Sequence, residues 1–276
     1  AAMDRESHTR VLGLYLEGPF QQPDLSGASL RDYALLPTTE NVQRILDELG
    51  SAVTMVNVAP GLTGDGETVG RLRRAGKVVT MAHSNADAAS VLRCIEAGTT
   101  VIGHFWDNNS GRIGDSGVQQ PTLEHVALTD ERIKSIHLIC DGTHVHPIVI
   151  EMILRCRGVE SLCLVTDGNQ RSGCPDGTFT SDDGRTFYKE QGVCRTDQGW
   201  LAGSATLLPD MLRHFVRFTK MDPAKAIRTV TLNPAAGLGL QDRIGLLASR
   251  NRADLVAWDR QLRVCRVWHA GREIDN

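Results

Sequence analysis

Six short apolar runs recur along the chain, and each ends on polar residues: Val11 to Gly18, Val53 to Pro60, Val78 to Ser84, Thr100 to Asp107, Ile136 to Gly142 and Leu162 to Gly168. Apolar through their length and charged only at their exits, they read as buried parallel strands. Strands of this kind place Glu17, His83, His104, Asp141 and Asp167 at one common edge, and the chemistry is expected there.

Between the runs the apolar residues change to helical spacing. ENVQRILDELG sets Val42, Ile45, Leu46 and Leu49 on one face with Gly50 as its stop. GETVGRLRRAG and NADAASVLRCIEAG close on glycine in the same way, and PIVIEMILRCRG opens with Pro147 in its first turn, where a missing N–H costs nothing. Alternation of strand, helix and glycine predicts a parallel sheet with helices outside it.

Beyond Gly168 the chain becomes turn-rich. Glycines at 177, 184, 192 and 199 separate short alternating segments and predict a hairpin-like insertion beside the site. Helices resume in TLLPDMLRHFVRFTK and DPAKAIRTVT, the second with Asp222 as N-cap and Pro223 at its first position. The final stretch, ADLVAWDRQLRVCRVWHAGREI, alternates as half-exposed antiparallel strands do. Six strand–helix units leave two architectures open, a (β/α)8 barrel short of two strands and a doubly wound open sheet. Ala1 to Arg10 is polar without periodicity and reads as a cut end.

Composition narrows the class. In 276 residues, 41% hydrophobic and 23% charged, there is enough apolar material for one sizeable core and no sign of a fibre or disordered tail. A net charge of −3 gives no global reason to expect nucleic acid or an anionic membrane as partner. Seven cysteines, odd in number, never in CxxC spacing and mostly within apolar runs, fit the reduced thiols of a cytoplasmic protein. Neither a signal-peptide pattern nor an apolar run of about 18 residues is present, so secretion and membrane spanning are not expected.

Glu17, His83 and His104 are of the types that hold catalytic zinc, where three protein ligands leave a fourth position for water. Residue type alone leaves plainer readings open, a structural hydrogen bond for either histidine and a helix N-cap for Glu17.

The ordered motifs LEGPF (16–20), AHSNA (82–86), GH (103–104), DGTHVHP (141–147), LVTDG (164–168), LAGS (201–204) and NPA (233–235) resemble the N-acetylglucosamine-6-phosphate deacetylases of the amidohydrolase superfamily. The resemblance implies an α/β fold, an amidohydrolase-type (β/α)8 barrel lacking its first two strands, in residues 1–236, with a β insertion near 176–203. Residues 237–276 would be C-terminal β-sandwich strands. It implies a divalent metal ion, zinc, on Glu17, His83 and His104, with Asp167 as the catalytic carboxylate.

Substrate contacts are implied for His144, Ala28 and the Leu201, Ala202 and Gly203 backbone, and in the phosphate region for Asp107, Asn108 and Arg112. Asp141 is expected to orient a neighbouring histidine or cap the next turn, and His146 to make a structural hydrogen bond. The implied activity is hydrolysis of the acetamide of N-acetylglucosamine 6-phosphate by a cytoplasmic homodimer. The alternatives are an amidohydrolase for another N-acyl amino sugar and a non-catalytic relative serving as a binding subunit.

Three departures from the family pattern stand out. Gly27, Ala28 and Ser29 replace Gly-Ala-His, and Phe105, Trp106, Asp107, Asn108 and Asn109 replace Leu-Phe-Asn-Ala-Met. The first removes a histidine from the phosphate pocket and the second puts a carboxylate where an anion should dock, so affinity for a 6-phosphate comes into question. Arg112 is the remaining basic residue there, standing somewhat closer to His104 than the family's phosphate-binding arginine, which reaches across a dimer interface. The third departure is that nothing here matches the family's opening strand, so one metal is expected and a second would lack ligands.

Overall fold

The computed structural model describes residues 9–28, 31–107, 112–113 and 117–274. Ser29, Asn108 and the side chain of Arg112 lie outside what is described.

In chain order the first half comprises β1 (Leu14–Phe20), α1 (Thr39–Leu49), β2 (Val53–Val58), α2 (Asp65–Arg74), β3 (Val78–Met81), α3 (Ala88–Glu96) and β4 (Val101–Ile102). A two-residue pairing of β5 (Arg112–Ile113) with β6 (Gln119–Gln120) leads to α4 (Leu123–Thr129), β7 (Ser135–Leu138), α5 (Pro147–Arg157) and β8 (Leu162–Leu164). The strands of the six apolar runs form one parallel sheet in the order β1-β2-β3-β4-β7-β8, each beside the next of the six in sequence.

The local reasons are those of the sequence. Thr38 and Asp87 accept hydrogen bonds from Asn41 N and Ser90 N at the starts of α1 and α3. Gly50 ends α1 at φ 47°, a conformation that favours glycine. His146 caps α5 through Ile148 N at 3.2 Å, the structural role expected of it, and Pro147 occupies the first helical position. Strands contribute Met81, Ile102, Ile136 and Leu138 to the core, and helices cover them with Leu72, Leu123, Ile150 and Phe215, all buried. Each such side chain is worth about 1.5–3 kcal/mol of burial.

The first run needs correction. Val11 and Leu12 are exposed and precede β1, because its partner β2 begins opposite Leu14 and offers residues 11–13 nothing to pair with. At its other end β1 continues to Phe20, paired with Val58, so Glu17 sits within the strand rather than at its exit. The fourth run yields a strand of only two residues, although Phe105 N beyond it still donates to the carbonyl of His137 on β7 at 2.7 Å.

The turn-rich segment is a four-stranded antiparallel meander rather than a single hairpin: β9 (Gly177–Thr180), β10 (Thr186–Glu190), β11 (Val193–Thr196) and β12 (Leu201–Ser204). Its last strand returns to the parallel sheet, where Ser204 N donates to Asp167 O at 2.9 Å. Three helices follow, α6 (Leu208–Thr219), α7 (Pro223–Ala226) and α8 (Leu232–Gly237), with Asp222 capping α7 through Ala224 N at 2.7 Å. Asn233 of the NPA motif is buried and donates to the carbonyls of Val159 and Leu162, both at 2.7 Å, which locks α8 against the start of β8. Antiparallel strands β13 (Leu255–Trp258), β14 (Val264–His269) and β15 (Arg272–Ile274) close the described chain. No helix of the described residues is long and apolar enough to cross a membrane.

Candidate active site

The middle of β1 and the exits of β3 and β4 converge on one point. Glu17 Oε1 lies 2.8 Å from His83 Nε2 and 3.2 Å from His104 Nε2, and the two imidazole nitrogens are 3.1 Å apart. Both histidines are buried. His83 follows β3 by two residues and His104 follows β4 by two, so neighbouring parallel strands deliver them side by side.

Local packing permits this approach. A methyl group at Gly103 would lie 3.1 Å from the Ala82 side chain and 3.2 Å from the Tyr15 hydroxyl, so the glycine before His104 lets β1, β3 and β4 close up. The loop bearing His83 is pinned by Ser84, whose Oγ donates to Pro60 O at 2.7 Å and accepts from Ala86 N at 3.0 Å. His83, Trp106 and Asp167 all have positive φ despite carrying side chains, a conformation costing of order 1–3 kcal/mol each and typical of functional sites.

The hydrogen bonding of His83 tests whether these donors suit a metal. Its Nδ1 lies 2.6 Å from the carbonyl oxygen of Leu25, which can only accept, so Nδ1 carries the proton. In a neutral imidazole, Nε2 is then a lone pair pointed at a carboxylate oxygen 2.8 Å away. Two lone-pair atoms at that separation repel unless a cation lies between them. Two imidazoles and one carboxylate, with donor atoms all within 4.8 Å of one another, make a set that fits a divalent ion of the zinc type.

The charges of Glu17 and the facing imidazoles depend on one another. Burial pushes the Glu17 carboxyl up, but the facing His104 and His83 rings outweigh it and hold the group well below the usual carboxylate range. Burial would lower His104, whereas Glu17 raises it to about 9. His104 Nδ1 is buried with no hydrogen-bond partner, and the nearest acid is Asp107 Oδ2 at 3.8 Å.

A cavity of about 810 Å³ opens over this cluster, within the usual range for a small-molecule site. Glu17, His83, Asp107, His144 and Asp167 all line it. Ala28 and the β12 residues Leu201, Ala202 and Gly203 form further wall, so the structure brings together every expected site residue that it describes with its side chain, His104 standing directly behind Glu17 and His83.

Asp167 is raised above the ordinary carboxylate value, first by burial and then by the charge of Glu17. Asp141 does both things expected of it. Its Oδ1 accepts from Thr143 N at 2.8 Å and His144 N at 2.9 Å, and its Oδ2 holds His144 Nδ1 at 2.6 Å. Burial pushes the Asp141 carboxyl up, but the His144 hydrogen bond outweighs it and brings the group to about 2; burial lowers His144, and Asp141 raises it overall.

Among the cavity residues that sequence reading missed are Arg171, Arg185, Phe187 and Trp200, which the meander and the turn before it supply. Arg185 donates to the carbonyl of Ala28, tying meander to the loop after β1. A turn-rich composition carries no signal for such contacts.

Residues 1–274 match the amidohydrolase family. The chain belongs to the amidohydrolase family. This amidohydrolase is similar to the N-acetylgalactosamine-6-phosphate deacetylase of Escherichia coli O157:H7, with 31% identity over 95% of this chain and 68% of that one. It is similar to the N-acetylglucosamine-6-phosphate deacetylase of Vibrio furnissii, with 30% identity over 95% of this chain and 64% of that one. A solved structure of N-acetyl-D-glucosamine-6-phosphate deacetylase from Mycobacterium smegmatis, a mutant in complex with N-acetyl-D-glucosamine-6-phosphate, superposes with TM-score 0.84. It has 31% identity over 95% of this chain and 68% of that one. The chain thus spans about two thirds of the length of these relatives.

Proposed function

We propose that this amidohydrolase cleaves the acetamide of N-acetylglucosamine 6-phosphate, giving glucosamine 6-phosphate and acetate. The observation that carries the reading is convergence: the Glu17, His83 and His104 donors open into the same cavity as Asp167 and the Asp141-held His144. Support for the sugar comes from the relatives, which are named for N-acetylhexosamine 6-phosphates.

Glu17, His83 and His104 would hold a divalent ion, zinc, which when bound supplies Lewis-acid polarisation and lowers the pKa of bound water toward about 7. Asp167 takes a proton from the attacking water and returns it to the departing amine as the amide C–N bond breaks. Burial raises this carboxyl above its ordinary value and makes it a better base. His144 is oriented through Nδ1 by Asp141, which also favours the protonated ring, and in that form its other nitrogen donates toward the carbonyl or a sugar hydroxyl. Ala28 and the Leu201, Ala202 and Gly203 backbone shape the sugar site and Asp107 borders it, while a role for Asn108 and Arg112 in holding the substrate rests on the family resemblance alone.

In this reading the six parallel strands are wall of an amidohydrolase-type (β/α)8 barrel spanning residues 1–236, and residues 237–276 contribute β-sandwich strands. Seven free thiols suit a reducing compartment such as the cytoplasm. The working unit is a homodimer, as in the family the sequence resembles.

A second reading has its own observation. Asp107, Asp182 and Asp183 line the cavity, which favours an N-acyl amino sugar without a phosphate. Comparing acetate release from phosphorylated and unphosphorylated N-acetylglucosamine tests both. A kcat/KM that is unchanged on removing the phosphate contradicts the 6-phosphate reading.

A further inference from the structure

The two arginines of the cavity differ in how their charge is spent. Arg185 is neutralised, with its guanidinium 2.7 Å from Asp183 Oδ2 and a further donor on the Ala28 carbonyl. Arg171 has no carboxylate partner among the described residues. Its guanidinium lies 4.5 Å over the Phe179 ring, and one amino group donates to Thr180 O at 3.1 Å. A guanidinium has five N–H donors in a planar fork, so most remain unspent at the cavity wall.

The backbone of Arg171 is also held. Its N–H donates to Asn169 Oδ1 at 2.7 Å, and its carbonyl accepts from the buried Lys189 Nζ at 3.2 Å. Asn169 in turn donates to Ala202 O on the cavity wall. Arg171 is therefore a pre-positioned, uncompensated positive charge in a cavity that also presents Glu17, Asp107, Asp167, Asp182 and Asp183. Away from the Glu17, His83 and His104 donors and from His144, an anion entering that cavity meets mostly carboxylates, and this guanidinium is a favourable place for it.

We infer that Arg171 binds the phosphate of the sugar substrate and sets the preference for a phosphorylated over a neutral sugar, an assignment that rests on the deacetylase reading above. Arg171 follows Asp167 by four residues, so chain reach keeps the two within ~14 Å. In the proposed arrangement one hexosamine bridges these two residues of the cavity wall, its 2-acetamido group at Asp167 and its 6-phosphate at the guanidinium. The arrangement accounts for a phosphate site in a chain that has Ser29 and Asp107 where its family places neutral or basic contacts.

The test is steady-state acetate release by the metal-loaded full chain on N-acetylglucosamine 6-phosphate and N-acetylglucosamine, in wild type, Arg171→Gln, Arg171→Lys and Arg112→Ala. Glutamine keeps a donor for Thr180 O, and a thermal melt checks the fold. Arg171→Gln should raise KM for the phosphorylated sugar ~10–100-fold with kcat held, and the loss should be confined to that sugar. Arg171→Lys should recover part of it, because a point charge replaces the fork. Calorimetry with glucosamine 6-phosphate should show the same weakening. Equal losses on both sugars, or a phosphate preference that survives Arg171→Gln and vanishes in Arg112→Ala, would overturn the assignment. Wild type turning over neither sugar would overturn the deacetylase reading itself.

Discussion

Gly203 passes so close to Asp167 that a methyl group in its place would lie 2.5 Å from the Asp167 carbonyl oxygen and 3.4 Å from its Oδ2. The glycine also has φ +62°, a conformation that L side chains rarely adopt. The adjoining bond from Ser204 N to Asp167 O holds β12 against the end of β8, so the strand cannot retreat without moving the carboxylate. Gly203→Ala should cost about 1–3 kcal/mol of stability and lower kcat at least ~10-fold, through displacement of Asp167. Circular-dichroism melts beside acetate-release kinetics check this, and full activity in the variant would show that the close approach is not used.

The Asp141–His144 pair predicts a pH window. Asp141 is depressed to about 2, so it stabilises the fold above its unfolded value of ~3.9 and loses that contribution as pH falls toward 2. His144 is raised, so its contribution is complete below ~6.5 and lost as pH climbs through the raised value. Wild type should therefore exceed Asp141→Asn in Tm most strongly between about pH 4 and 6.5, by an amount equivalent to about 1–3 kcal/mol. The His144 imidazole should titrate at lower pH in Asp141→Asn by NMR. An unmoved His144 titration would break the assignment.

Metal retention should depend on Glu17, His83 and His104 as a unit. Glu17→Gln keeps the shape but removes the charge that faces both imidazoles, and should lower zinc affinity by at least ~10-fold. Zinc titration by calorimetry with a colorimetric stoichiometry reads it directly. Stoichiometric zinc of unchanged affinity in Glu17→Gln would remove the carboxylate from the donor set.

Much of this was legible before any coordinates. His83 and His104 follow apolar runs too uniformly buried to be anything but parallel strands, and Pro147, Asp222 and Gly50 mark helix ends by chemistry that acts over one or two residues. Asp167 and His144 were legible only through resemblance, since a carboxylate at a strand exit has many uses. Where β1 begins was not legible: Val11 and Leu12 are as apolar as Leu14 and Leu16, and only the position of Val53 on another strand decides which of them pair. Arg171 was invisible for a related reason. Its meaning comes from Phe179, Thr180 and the absence of an acidic partner among the described residues, all of which depend on how the meander folds back.

The central claim is that Asp167 transfers the proton in an amide hydrolysis organised by the Glu17, His83 and His104 donors. The most direct measurement is acetate release from N-acetylglucosamine 6-phosphate by wild type and Asp167→Asn, both zinc-loaded, with bound zinc assayed in the same samples. Wild type should turn over, and Asp167→Asn should bind equal zinc with kcat reduced ~10²–10⁴-fold. Undiminished turnover in Asp167→Asn, or none by a zinc-loaded wild type, would contradict the account.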